Sequence, residues 1–139
     1  MMKNAIIRIQ GSQGLESQED SVELTTYGTV EYTDVGCKII YEESELTGMK
    51  GTTTTIIVER QGKITLNRFG STNSCLVFEE GQKHISYYDT EEGAFSISVY
   101  TNYLEADINK NCGEIEIEYS LEIDGKAAGI NSIKLNFEY

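Results

Sequence analysis

Between Gly113 and Asp124 the chain reads Gly-Glu-Ile-Glu-Ile-Glu-Tyr-Ser-Leu-Glu-Ile-Asp, an alternation with a period of two. Ile115, Ile117, Tyr119, Leu121 and Ile123 share one face, and Glu114, Glu116, Glu118, Ser120 and Glu122 share the other. Side chains alternate across a strand, so the segment is read as one long strand with an apolar and a wet face. At about 3.3 Å per residue it runs roughly 35–40 Å, twice the usual length, and a strand that long bends around a barrel or sandwich.

The rest of the sequence repeats the pattern. Strands are predicted at Lys3–Gln10, Ser21–Thr33, Cys37–Glu43, Thr52–Arg60, Lys63–Phe69, Cys75–Glu79, His84–Tyr88, Ala94–Thr101, Leu104–Asn109, Gly113–Asp124 and Ile130–Tyr139. A loop is predicted over Gly11–Glu19, a two-residue connection at Gln61-Gly62, and a tight hairpin at Asp124-Gly125. In the second strand Val22, Leu24, Thr26, Gly28, Val30 and Tyr32 share a face, and Gly28 marks a bulge or bend. No stretch places apolar residues at i, i+3, i+4 and i+7 over three turns, so helix is minor. The 139 residues contain no proline, where average usage gives about seven. That suits a chain almost wholly in ladders, because proline interrupts them. The expected architecture is one all-β domain over residues 1–139, an antiparallel barrel of about 8–11 meander strands. A barrel is favoured over a sandwich because closure removes exposed sheet edges.

Charge narrows the function. The chain carries 23 acidic and 11 basic residues, a formal net charge of −12. Nucleic-acid binding needs a basic footprint, and an anionic membrane surface repels such a chain, so neither is an expected partner. The N-terminus has no apolar core of signal-peptide type, and no apolar run approaches the length of a membrane helix. Cys37, Cys75 and Cys112 are odd in number and widely spaced, with Cys37 and Cys75 expected packed and Cys112 exposed. A cytoplasmic location follows. With one histidine, His84, neither a His-based metal site nor a paired-His mechanism is expected, and no cofactor is called for. His84 alternates with Ile85 and Tyr87 and is assigned to the outward face.

The order and spacing of several short motifs resemble one family. They are Ile40-Tyr41-Glu42-Glu43-Ser44, Leu46-Thr47-Gly48, Thr53-Thr54-Thr55-Ile56-Ile57-Val58 and Leu66-Asn67-Arg68-Phe69-Gly70. Phe78-Glu79-Glu80-Gly81, Tyr88-Asp89-Thr90, Gly93, Val99-Tyr100-Thr101 and Ile117-Glu118-Tyr119-Ser120-Leu121 continue them. Together they resemble the YwiB-like family of small bacterial proteins over roughly residues 4–139. The resemblance implies a calycin-like barrel, related in shape to lipocalins and fatty-acid-binding proteins, and a family with no established activity. It supplies no catalytic residues.

Four residues stand out as candidate ligand contacts. Arg68 continues the face of Ile64 and Leu66, so it points into the barrel if they do. There its guanidinium suits a carboxylate, and fatty-acid binders use arginines in this way. The competing role is structural, a bridge to Glu42 or Glu79 at the barrel mouth. Tyr32, Tyr41 and Tyr119 also continue apolar faces, and an interior hydroxyl needs a partner. They suit a lumen holding a small anionic or lipophilic molecule; a strand tyrosine also often just reaches the rim.

Other features carry less. Thr47-Gly48-Met49-Lys50-Gly51-Thr52-Thr53 lacks the phosphate-loop order and is read as a turn. The glutamates 114, 116, 118 and 122 lie too far apart along one strand to converge on a cation. The leading expectation is therefore a small-molecule-binding barrel. A structural or interaction protein, such as a homodimer, is the alternative, and an enzyme comes third because the acid–base set is thin.

Overall fold

Ten strands follow one another along the chain, and each pairs antiparallel with its neighbours. They are β1 (Met2–Leu15), β2 (Gln18–Thr33), β3 (Gly36–Glu42), β4 (Thr52–Glu59), β5 (Lys63–Gly70), β6 (Ser74–Glu79), β7 (Lys83–Thr90), β8 (Gly93–Ile108), β9 (Cys112–Ile123) and β10 (Lys126–Glu138). The computed structural model describes residues 2–15, 18–34, 36–43, 51–70, 73–90 and 93–139, and none of these is helical. The strand order is β6-β5-β4-β3-β2-β1-β10-β9-β8-β7, a meander whose first and last strands join it at the middle. The chain is thus an all-β, nearly closed barrel, as the alternation predicts.

Alternation decides which side chains face the lumen. In β9, Gly113, Ile115, Ile117 and Tyr119 are buried while Glu114, Glu116 and Glu118 are exposed. Cys37, Ile39 and Tyr41 do the same in β3, and Thr52, Thr54, Ile56 and Val58 in β4. Each fully buried Ile, Leu or Phe contributes about 1.5–3 kcal/mol, so these inward rows supply most of the driving force for closure.

Several expectations are revised. Residues 11–15 and 18–19 are not loop but the continuation of the β1–β2 ladder, from Gly11↔Val22 to Leu15↔Gln18. The segments Ala94–Thr101 and Leu104–Asn109 are one strand, β8. Opposite Tyr119 and Glu118 of β9 stand Thr101 and Tyr103, which leaves Asn102 as an extra residue. That bulge switches the inward parity from Val99 and Thr101 to Leu104 and Ile108. Gly28 is not bulged either. It pairs in register with Ala5 and Tyr41 at a place of close backbone approach. Three residues, Arg60–Gly62, connect β4 and β5 in place of the expected two. The Asp124-Gly125 hairpin is as expected: both residues have positive φ (49° and 82°), the backbone that this two-residue turn demands.

β7 is inverted relative to expectation. Ile85 and Tyr87 point outward and are 64% and 72% exposed, whereas His84 lies half-buried with Nε2 2.9 Å from Glu79 Oε1. Among the described residues β6 and β7 share no ladder, so the barrel closes there by other means. The amide of Gly81 donates to the carbonyl of Thr101 (2.8 Å), and the amide of Thr101 donates to that of Gln82 (3.2 Å). Because the meander is up-and-down, the β3–β4 and β5–β6 connections lie at one end of the barrel. Both chain termini and the β2–β3 and β8–β9 connections lie at the other.

Candidate functional site

The inward face of the barrel turns polar toward the end that carries the β3–β4 and β5–β6 connections. Extending each apolar face by two residues leads from Tyr41 to Glu43, from Ile56 to Thr54, from Leu66 to Arg68 and from Leu76 to Ser74. The ladder registers align them: Tyr41 pairs with Thr54, Thr54 with Arg68, and Arg68 with Ser74. On the other side, Tyr41 pairs with Gly28 and Gly28 with Ala5, so one inner row crosses β1 to β6. The absence of a Cβ at Gly28 makes room beside Tyr41, whose own Cβ would lie 3.2 Å from an added methyl.

Glu43 is the hub of this row. Its side chain is 2% exposed, and its Oε1 accepts a 2.6 Å hydrogen bond from the hydroxyl of Thr54. The Tyr41 hydroxyl hydrogen-bonds the same carboxylate. Burial pushes the Tyr41 phenol well above its usual range, and the Glu43 charge adds to this, while the Arg68 guanidinium opposes it. Arg68 Nε lies 3.8 Å from Glu43 Oε1, within ion-pair range and beyond hydrogen-bond length. The carboxylate beside Arg68 is therefore Glu43, not Glu42 or Glu79. Glu42 is on the exposed face of β3, and Glu79 is engaged by His84.

A second row crosses β8, β9 and β10, where Thr101 pairs with Tyr119 and Tyr119 with Asn131. The Tyr119 ring packs on Phe78 at 5.0 Å between centroids. Burial raises its phenol; a hydrogen bond from Asn131 and the nearby Arg68 guanidinium pull the other way. Tyr119 thus links the second row to the first. Four buried polar atoms in these two rows have no hydrogen-bond partner: Arg68 Nε, Ser74 Oγ, Thr101 Oγ1 and Asn131 Oδ1. The first two belong to neighbouring residues across β5–β6, and the last two flank Tyr119. Arg68 is about one-fifth exposed, so the cluster reaches the surface beside it.

Of the four residues singled out in the sequence, Arg68, Tyr41 and Tyr119 come together and Tyr32 does not. Tyr32 lies near the end of β2, paired with Cys37, and Tyr41 is four residues farther along β3, about 13 Å. The Tyr32 hydroxyl donates to the carbonyl of Asn109 and accepts from Tyr139, both at 2.5 Å. It is a rim tyrosine whose hydrogen bonds are already made. Glu43, Thr54, Ser74, Thr101 and Asn131 were passed over, although a period-two extension of each strand's apolar face leads to all five. Of the glycine-bearing turn, residues 47–50 lie outside the described residues; Thr52 and Thr53 open β4. No group of three His, Cys, Asp or Glu side chains suited to a metal ion occurs among the described residues. No helix there is long and apolar enough to cross a membrane.

Comparison with known proteins agrees with the fold. The crystal structure of the ywiB protein from Bacillus subtilis superimposes with a TM-score of 0.87, covering 99% of this chain and 92% of that one. The two sequences are 17% identical, so the likeness is one of fold. No curated protein matches the sequence. The model of the family described as a domain of unknown function (DUF1934) matches residues 7–135. With that match over nearly the whole barrel, the chain belongs to this family of domains of unknown function, and it shares the fold of the ywiB protein.

Proposed function

We propose that the barrel binds a small molecule at its polar end, held by Arg68 with Tyr41 and Tyr119 beside it. One observation carries the reading: Arg68 Nε, Ser74 Oγ, Thr101 Oγ1 and Asn131 Oδ1 are buried without a hydrogen-bond partner. An unmet buried polar group costs about 1–3 kcal/mol, and a guest that pairs with such groups on both rows would recover that cost. Tyr32 takes no part in it. The net charge of −12 and the cysteines, of which Cys37 is buried and none is bridged, suit a cytoplasmic protein. Native mass spectrometry of protein purified from its own host tests the reading. A non-covalent adduct is expected on the wild-type chain and is lost in Arg68→Met. A bare chain mass, with only waters on the four groups in a high-resolution crystal structure, overturns it.

A second reading rests on a separate observation. Ile85 and Tyr87 stand outward on the terminal strand β7, with Tyr100 diagonally across on β8 and 44% exposed. This apolar face fits a second copy of the chain. Light scattering at increasing concentration is expected to show a dimer that Tyr87→Glu returns to monomer; a monomer throughout overturns it.

A further inference from the structure

We infer that the molecule taken at the polar end is uncharged and carries both hydrogen-bond donors and acceptors, and that Glu43 is the residue that turns away a free carboxylate. The inference rests on the small-molecule reading of the same site. It runs against the simplest expectation for an arginine inside such a barrel, which is that it holds an anion.

The charge of the site is already balanced. Arg68 brings one positive charge, and Glu43, with its side chain 2% exposed, sets a negative one 3.8 Å from Nε. Glu43 is not an incidental neighbour. Thr54 donates to it at 2.6 Å, Tyr41 hydrogen-bonds it, and its backbone amide donates to the Thr52 carbonyl at 2.8 Å. A carboxylate fixed by two hydroxyls cannot swing away when a second anion approaches Arg68. An incoming carboxylate would face a buried like charge, and like charges at close range disfavour each other most where water is excluded.

The buried groups without a partner point the same way. Arg68 Nε–H is a donor only; Asn131 Oδ1 is an acceptor only; the hydroxyls of Ser74 and Thr101 serve as either. A carboxylate offers acceptors alone and leaves Asn131 Oδ1 unmet. A primary amide offers a carbonyl to Arg68 and an N–H to an acceptor, without adding charge.

Hexanamide and hexanoate form a matched pair that differs in charge and donor capacity and hardly in shape. Titrated at pH 7 against the wild-type protein, with the Arg68 Nε–H resonance followed by NMR, hexanamide is expected to bind at least tenfold more tightly than hexanoate. In Glu43→Gln the preference is expected to reverse, because Arg68 then lacks its counter-charge. Should Glu43→Gln not fold, the wild-type ratio alone decides. Hexanoate binding as well as or better than hexanamide in the wild type overturns this inference and leaves the small-molecule reading standing. If neither probe moves the Arg68 resonance at tens of millimolar, both readings fall.

Discussion

A methyl group at residue 28 has nowhere to go. Built on the Gly28 backbone, a Cβ would sit 2.3 Å from the carbonyl oxygen of Ile40 and 2.5 Å from Cδ1 of Ile7. The first neighbour is backbone in the adjoining strand, so relief requires the β2–β3 ladder to part. Gly28→Ala is therefore expected to cost about 1–3 kcal/mol in urea unfolding, whereas at Gly11 an added Cβ would come no nearer than 4.0 Å to the Ser132 carbonyl oxygen, and Gly11→Ala is expected to cost little. Equal costs would show that Gly28 is conformational rather than steric. The tyrosines set a second expectation. Burial raises Tyr41 and Tyr119 above the ordinary phenol value of 10.0, and it raises the Cys37 thiol from 9.0 to about 11. Below about pH 8 folded and unfolded chains bind these protons alike, and stability is flat. Above that, the unfolded chain sheds protons that the fold keeps, so the unfolded state binds fewer and stability falls as pH rises. The urea midpoint is expected to drop between pH 8 and pH 11, and Tyr41→Phe to flatten the drop. A midpoint that holds over that range would mean the phenols ionise freely in the fold.

Strands whose two faces differ sharply could be assigned from the sequence, and strands whose faces do not could not. β9 reads off directly because Ile115, Ile117 and Tyr119 alternate with glutamates, and each choice of face is enforced by burial. β8 looked like two strands because Asn102 is an extra residue that shifts the parity, and a period-two reading has no way to pass through a bulge. The β1–β2 extension was missed because Ser12, Gln13 and Gly14 carry no apolar alternation, and their pairing is decided by the strands that precede them. β7 failed differently. The apolar set Ile85 and Tyr87 faces outward because His84 is drawn to Glu79 across the β6–β7 turn, and in a terminal strand the apolar face has no second neighbour to enforce its choice. The same reasoning accounts for the site: Arg68 and Tyr119 are legible as continuations of apolar faces, while the carboxylate beside Arg68 is neither Glu42 nor Glu79 but Glu43, which lies next to Glu42 and so on the opposite face of the strand. The contrast between β7 and β9 is measurable. Ile117→Ala in β9, at a site 3% exposed, is expected to cost about 2–5 kcal/mol. In dilute, monomeric protein Ile85→Ala in β7 is expected to stay within about 0.5 kcal/mol, since the side chain is exposed on the single chain. A large loss at Ile85 would place β7's outward face against something in the folded protein.

At the scale of the barrel, the seam between β6 and β7 is where ladder hydrogen bonding stops. Among the described residues eight strands are bonded on both sides, whereas β6 has a ladder only with β5 and β7 only with β8. What spans the gap is local: Gly81 and Gln82 exchange hydrogen bonds with Thr101, the Glu80 carboxylate accepts from the Leu104 amide at 3.4 Å, and His84 meets Glu79. These contacts gather near the β6–β7 turn and the bulge of β8, and the Phe78–Tyr119 ring contact adds a side-chain tie from β6 to β9. Ser74, at the far end of β6, therefore sits on the least supported wall of the barrel, with Arg68 paired beside it on the doubly bonded β5. A wall held by one ladder opens at lower free energy than one held by two. Amide hydrogen exchange is accordingly expected to be faster by about a hundredfold or more at alternate positions of β6 and β7 than in the central strands β1, β2, β9 and β10. If a guest joins the two polar rows, hexanamide at saturation should slow exchange in β6 selectively, because Arg68 and Ser74 lie on one side of the lumen and Thr101 and Asn131 on the other. Uniform slowing across the barrel would indicate that binding stabilises the whole fold without bridging the rows, and unchanged exchange in β6 would place the probe elsewhere.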